Sequence, residues 1–187
     1  MFDAECDLAA LVYDQGDDPD GLLRDFAGRL RAHGVRVVGL VQHVRRAVDE
    51  HPVAATLVHS GVEIPLLQQL GRQASGCRLD VGQLLRAGSA VAGALGEGAD
   101  LLIVDRFGRQ ESEGKGLIFL TEQALASDIP VVIAVPRFRF AEWIRFAEGM
   151  SVRLPCTRRA LDGWWRNVSQ RCAAVGKSRA TVCEIFK

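Results

Sequence analysis

The chain lacks an excess of charge of either sign. Lysine plus arginine and aspartate plus glutamate each number 23 in 187 residues, so the formal net charge is zero. A general nucleic-acid binder needs a basic surplus to neutralise phosphates, so no nucleic-acid partner is expected. The chain also lacks an apolar run long enough to cross a bilayer, so no membrane insertion is expected. The opening MFDAECD is acidic, unlike the basic start of a signal peptide, and a cytoplasmic location is expected. Its five cysteines (Cys6, Cys77, Cys156, Cys172, Cys183) form no C-x-x-C pair. Their scatter and odd number exclude a recognisable zinc or disulfide framework and suit reduced thiols. Aromatic residues are sparse at 6%, in a composition otherwise ordinary for a soluble globular protein.

What is present is alternation. Leu8–Tyr13, LAALVY, is continuously apolar, as in a strand buried on both faces. The turn DQGDDPDG follows, with Asp18 as helix cap and Pro19 in the first helical position. Leu22, Leu23, Phe26, Ala27 and Leu30 share one face of a helix over about residues 20–33, which Gly34 stops. Val35–Val41 is the next apolar run, and strand–helix–strand predicts a right-handed crossover in a parallel sheet. Two short runs, Ala54–Val58 and Val62–Leu67, flank Ser60-Gly61 and predict a hairpin inserted at one edge, about residues 53–68.

Further along, helices are expected over Val81–Leu95, Gly116–Ser127, Ala141–Ala147 and Leu161–Val175. Strands are expected over Ala99–Asp105 and Val131–Val135, with an edge strand at Val152–Leu154. The pattern predicts an α/β three-layer sandwich with a mostly parallel sheet, as one domain over residues 1–187, with a tail after Gly176 that frays. The adjacent Trp164 and Trp165 predict packing, with one ring exposed as a partner surface, because neighbours on a helix do not share a face.

Ligands of such sheets sit beyond the carboxyl ends of the strands. A nucleotide-hydrolysing phosphate loop there reads G-x-x-x-x-G-K-[ST]: glycines for backbone N–H contacts, lysine for the outer phosphates, a hydroxyl for magnesium. After Tyr13 this chain offers no lysine, serine or threonine. It has Asp14, Asp17, Asp18 and Asp20. Four carboxylates outweigh the roughly half positive charge of a helix N-terminus and repel phosphate. They read as turn and capping chemistry, and their spacing is not that of a calcium loop.

A second feature keeps its chemistry. Asp105 ends an apolar strand where a magnesium-positioning acid would sit. Arg106, Arg109, Glu111, Glu113 and Lys115 follow, with Gly114 and Gly116 around Lys115, so helix N–H groups could meet an anion. Gln42 and His43 follow the second strand, Arg137 and Arg139 follow Val135, and Arg78 and Asp80 lie in GCRLD. Candidate ligand-binding residues are therefore Gln42, His43, Arg78, Asp80, Asp105, Arg106, Arg109, Glu111 and Lys115.

The pieces LVYDQGDDPDGLLRDFAGRLRAHGVRVVGLVQH, GCRLD, ADLLIVDRFGRQESEGKG and IPVVIAV resemble a bacterial family of unassigned function encoded near molybdate-transport genes. More distantly the chain is similar to P-loop nucleoside triphosphatases whose strand ends in D-E-x-G-x-x-E, and to molybdopterin-guanine-dinucleotide accessory proteins. The resemblance implies a P-loop-NTPase-like fold with a degenerate Walker A loop. Arg106 stands where those triphosphatases carry the second acid, so both loop lysine and second acid are gone. The expected function is non-hydrolysing binding of a small anion: molybdate, tungstate, or the phosphate portion of a nucleotide or pterin cofactor. Arg78, Arg106, Arg109 and Lys115 would donate, and Asp105 and Glu111 would orient them or hold a metal ion. Two rivals stand beside it. One is a divergent magnesium-dependent nucleotidase or transferase using Asp105 and Glu111. The other is a ligand-free module docking on a transporter or forming a homodimer.

Overall fold

The computed structural model describes residues 6–44, 53–67 and 79–174. Within them a sheet runs in the order β4-β3-β2-β5-β6-β1-β7. Its strands are β1 Leu8–Tyr13, β2 Val37–Val44, β3 Val53–Leu57, β4 Glu63–Pro65, β5 Leu101–Val104, β6 Val131–Pro136 and β7 Val152–Pro155. The helices are α1 Pro19–Ala32, α2 Val81–Gly96, α3 Arg109–Ser112, α4 Ile118–Ala126, α5 Phe140–Phe146 and α6 Arg158–Ala174. β2, β5, β6, β1 and β7 are parallel, while β3 and β4 extend the β2 edge antiparallel as a hairpin.

The sheet divides two apolar layers because successive strand residues point to opposite faces. On β1, Leu8, Ala10 and Val12 face α2, α4 and α5, packing with Leu84, Val91, Leu120 and Trp143. Ala9 and Leu11 face α1 and α6, packing with Leu23, Phe26, Leu30 and Trp165. The result is an α/β three-layer sandwich. α1 starts as its sequence dictates: Asp18 Oδ1 accepts from the Gly21 N–H at 2.8 Å, and Pro19 follows with its fixed φ.

Several expectations shift. β4 is three residues rather than six: Glu63–Pro65 pair with Ala54–Thr56, and one further bond, from the Leu66 N–H to the Val53 carbonyl at 3.1 Å, follows them. The helix expected from Gly116 begins at Ile118, since Gly116 has φ +63°, and the separate turn α3 forms before it. Neither tryptophan is exposed: Trp164 is 3% and Trp165 1% accessible. The Trp164 indole N–H donates to the Cys6 carbonyl at 2.9 Å, and both rings lie in the α1–α6 layer. Among the described residues no helix is long and apolar enough to cross a membrane. The expected frayed tail, Cys77 and Cys183 lie outside the described residues.

Candidate functional site

The site begins where β2 leaves β5. The two pair in parallel only over Val37–Gly39 and Leu101–Ile103. From Leu40 onward β2 pairs only with β3. Gly39 makes the departure possible. Its φ is +139°, and a Cβ there would lie 2.0 Å from the Ile103 carbonyl oxygen. The parting strands open a crevice at their carboxyl ends, and Asp105, just past β5, fills its base. Asp105 Oδ1 accepts from the Gln42 N–H at 2.9 Å. Two residues on, the Phe107 N–H donates to Ala134 of β6, and the Phe107 ring packs edge-on against Trp143 at 5.2 Å. Asp105 and Arg106 are thus held from both sides by backbone.

Asp105 is 2% exposed, and its Oδ2 has no hydrogen-bond partner among the described residues. Burial pushes its pKa from 3.8 to about 7, against the lowering effects of Arg106 and the Gln42 N–H. Arg106 turns toward the loop after β1. Its Nη2 lies 3.1 Å from each carboxylate oxygen of Asp20, and its guanidinium carbon is 5.8 Å from the centre of the Tyr13 ring. The Arg106 Nε is buried without a partner among the described residues.

The β1–α1 loop uses its own carboxylates. Asp17 accepts from the Asp14 N–H at 2.8 Å, Asp18 from Gly21, and Asp14 pairs with Arg137 at 2.5 Å. The Asp14, Asp17 and Gly21 N–H groups, three of those that would wrap a phosphate, are engaged within the loop. Beside this loop, burial first and then Asp17, Asp18 and Asp20 push the Cys156 thiol up to about 11, so it is no nucleophile near neutrality.

The expected residues divide into three sets. Gln42, Asp105, Arg106, Arg109 and Glu111 line one cavity of about 300 Å³ together with four leucines. His43, Lys115 and Asp80 are occupied elsewhere. His43 lies between Thr56 (3.2 Å) and Glu63 (3.3 Å) on the hairpin. Lys115 is an exposed partner of Glu113 at 3.3 Å. Asp80 caps α2, accepting from the Gln83 N–H at 3.0 Å. Arg78 lies outside the described residues. Arg137 lines a separate cavity over the β1–α1 loop, and Arg106 borders both.

Glu111 departs from the role foreseen for it. It is 6% exposed, and its two oxygens accept from the Gly108 N–H (3.0 Å) and the Leu117 N–H (3.1 Å). It ties the loop into a closed turn. Of the N–H groups there, those of Gly114, Lys115, Leu117 and Ile118 are engaged within that turn. No cluster of three or more metal-ligating side chains occurs among the described residues. The Asp20–Arg106 pair, 86 residues apart, and the leucine walls left no signal in the sequence.

A mostly parallel sheet of this order, with an acid closing β5 at the ligand edge, is a P-loop-nucleoside-triphosphatase-like fold. The solution structure of a human cancer-related nucleoside triphosphatase is similar with a TM-score of 0.57 and 18% identity. The match covers 92% of this chain and 98% of that one, and is a likeness of fold. The chain belongs to the family described as Protein of unknown function (DUF2478), whose model matches residues 8–164. It is also 38% identical over 166 residues to the Molybdenum import ATP-binding protein ModC 2 of Bradyrhizobium diazoefficiens. That alignment takes in 88% of this chain but only 18% of the relative's length.

Proposed function

We propose that this chain is a non-hydrolysing P-loop-like protein that binds a small oxyanion or phosphate-bearing ligand beside the carboxyl ends of β2 and β5. The observation that carries the reading is the Arg106 guanidinium, fixed on Asp20 between the strand end and the first helix. A permanent side-chain cation there leaves little need for a magnesium ion, and in the neighbouring loop the Asp14 and Gly21 N–H groups donate to the loop's own aspartates. The loop after β1 carries no lysine or hydroxyl, and Arg106 stands where a second acid would, so the usual groups that hold and activate the reacting parts of a triphosphate are missing from these two places. Arg106 and Arg109, which line the cavity, are the donors, Lys115 adds positive charge on the same loop, Asp105 sets the polarity of the cavity floor, and Glu111 holds the loop in shape.

The likeness to part of a molybdenum import ATP-binding protein supports a role in molybdenum handling, with molybdate or tungstate among the candidate ligands. Import and ATP binding are stated of that much longer protein. A homodimer or a transporter component is the partner this reading suggests.

Steady-state phosphate release with several nucleoside triphosphates and magnesium tests the reading, alongside calorimetry with molybdate, tungstate and inorganic phosphate. Release at the background rate together with measurable anion binding is expected. Turnover that Asp105→Asn abolishes would overturn it in favour of a magnesium-dependent nucleotidase. Heatless titrations with a defined dimer by light scattering would favour an interaction module.

A further inference from the structure

We infer that the cavity above Asp105 receives the base of a nucleotide-like ligand: a flat heterocycle whose ring N–H donates to Asp105 Oδ2, carrying its phosphate at the cavity mouth. This rests on the anion-binding reading and narrows it from a bare oxyanion to a phosphate attached to a base.

Three observations carry the inference. Leu40, Leu79, Leu84 and Leu117 form the apolar part of the wall, which offers no hydrogen bonds and suits the faces of a planar ring, while Gln42, Gln110 and Glu113 add polar lining beside it. The volume, about 300 Å³, sits at the lower end of the roughly 300–1,000 Å³ of small-molecule sites, enough for one bicyclic ring and far beyond a single bound water. The floor presents one buried carboxylate oxygen with no partner among the described residues, its twin being fixed by the Gln42 N–H. An unpaired buried acceptor is costly, and a neutral N–H donor relieves it.

A tetrahedral oxyanion is badly served at that depth. Leucines give it no donors, and the Asp105 carboxylate repels it. Arg106 carries its charge at the border with the neighbouring cavity, where Asp20 fixes it. The mouth differs. Arg109 there is 80% exposed at its side chain, and its pair with Glu113 is a surface ion pair of small energy that a phosphate can exchange into. A buried unpartnered acceptor, leucine faces and an exposed guanidinium thus line one cavity, matching the edge of a base, its faces and its phosphate.

The test is calorimetry on the full chain at about pH 8, where a carboxyl with a pKa of about 7 is mostly ionised. Three probes are compared: inosine 5′-monophosphate, whose base has a single ring N–H; its 1-methyl derivative, which lacks that donor; and ribose 5-phosphate, which has no base. The expected result is inosine monophosphate binding at least about tenfold more tightly than ribose 5-phosphate, with the 1-methyl derivative falling back to the ribose phosphate level. Asp105→Asn keeps an oxygen for the Gln42 N–H and puts an NH₂ group where the base donates, so it should erase most of that tenfold advantage. Equal binding of all three probes would leave the anion reading standing and overturn the base, the cavity then holding water alone. Silence from all three, and from inorganic phosphate and molybdate, would overturn both.

Discussion

Replacing Asp105 by asparagine should stabilise the protein in neutral and alkaline solution and do nothing of the kind in acid. The carboxyl is buried with one oxygen unpaired, and its pKa is raised from 3.8 to about 7. Between these values the folded state binds more protons at this site than the unfolded state. Stability therefore falls as pH rises through the window from about 4 to 7. The window spans roughly three pH units, and at about 1.4 kcal/mol per unit the buried charge costs about 4 kcal/mol above neutrality. That is a large share of the roughly 5–15 kcal/mol that holds a domain together.

Asparagine carries no charge, and its amide oxygen can keep the bond from the Gln42 N–H. Its unpaired NH₂ costs about 1–3 kcal/mol, equally at all pH values. The informative quantity is thus the change in the stability gap between variant and wild type. Urea unfolding of both proteins from about pH 4 to pH 8 should show that gap moving in the variant's favour by about 4 kcal/mol. Parallel profiles within about 1 kcal/mol would refute the reasoning: Asp105 would then titrate as an ordinary carboxyl.

Three further substitutions probe the frame. Glu111→Ala strips the acceptors from the Gly108 and Leu117 N–H groups and should destabilise by about 2–4 kcal/mol in chemical denaturation. Loss of well under 1 kcal/mol would mean the loop stands without it. Gly39→Ala places a Cβ against the Ile103 carbonyl at a φ unsuited to alanine, and should lower the melting temperature sharply or prevent folding. A melt within a few degrees of wild type would contradict that account. Asp18→Ala removes the α1 cap and should cost about 1 kcal/mol, read as a small fall in the urea midpoint with the slope unchanged.

The apolar runs announced the strands at Leu8, Val131 and Leu101 because a strand covered on both faces has no polar side to display. Asp18-Pro19 announced the start of α1 because a cap is a local interaction within four residues. Asp105 was visible as a candidate since it ends such a run. Its partners were not. Gln42 contributes a backbone N–H, which any residue type but proline supplies, and Asp20 was one of four similar aspartates in a turn. Glu111 looked like a ligand because its sequence position records its charge but not that two N–H groups fold back onto it.

Sequence alone determined the class of the fold, the capped first helix and the loss of the phosphate-loop lysine, because these depend on side-chain periodicity and on residue types within a few positions of each other. Tertiary structure alone decided where β2 parts from β5, that Arg106 crosses to Asp20, and that one oxygen of Asp105 stands unpaired above a leucine-walled cavity. Those features arise between segments far apart in the chain, and depend on distance and on exclusion from water, which no local pattern of residues encodes.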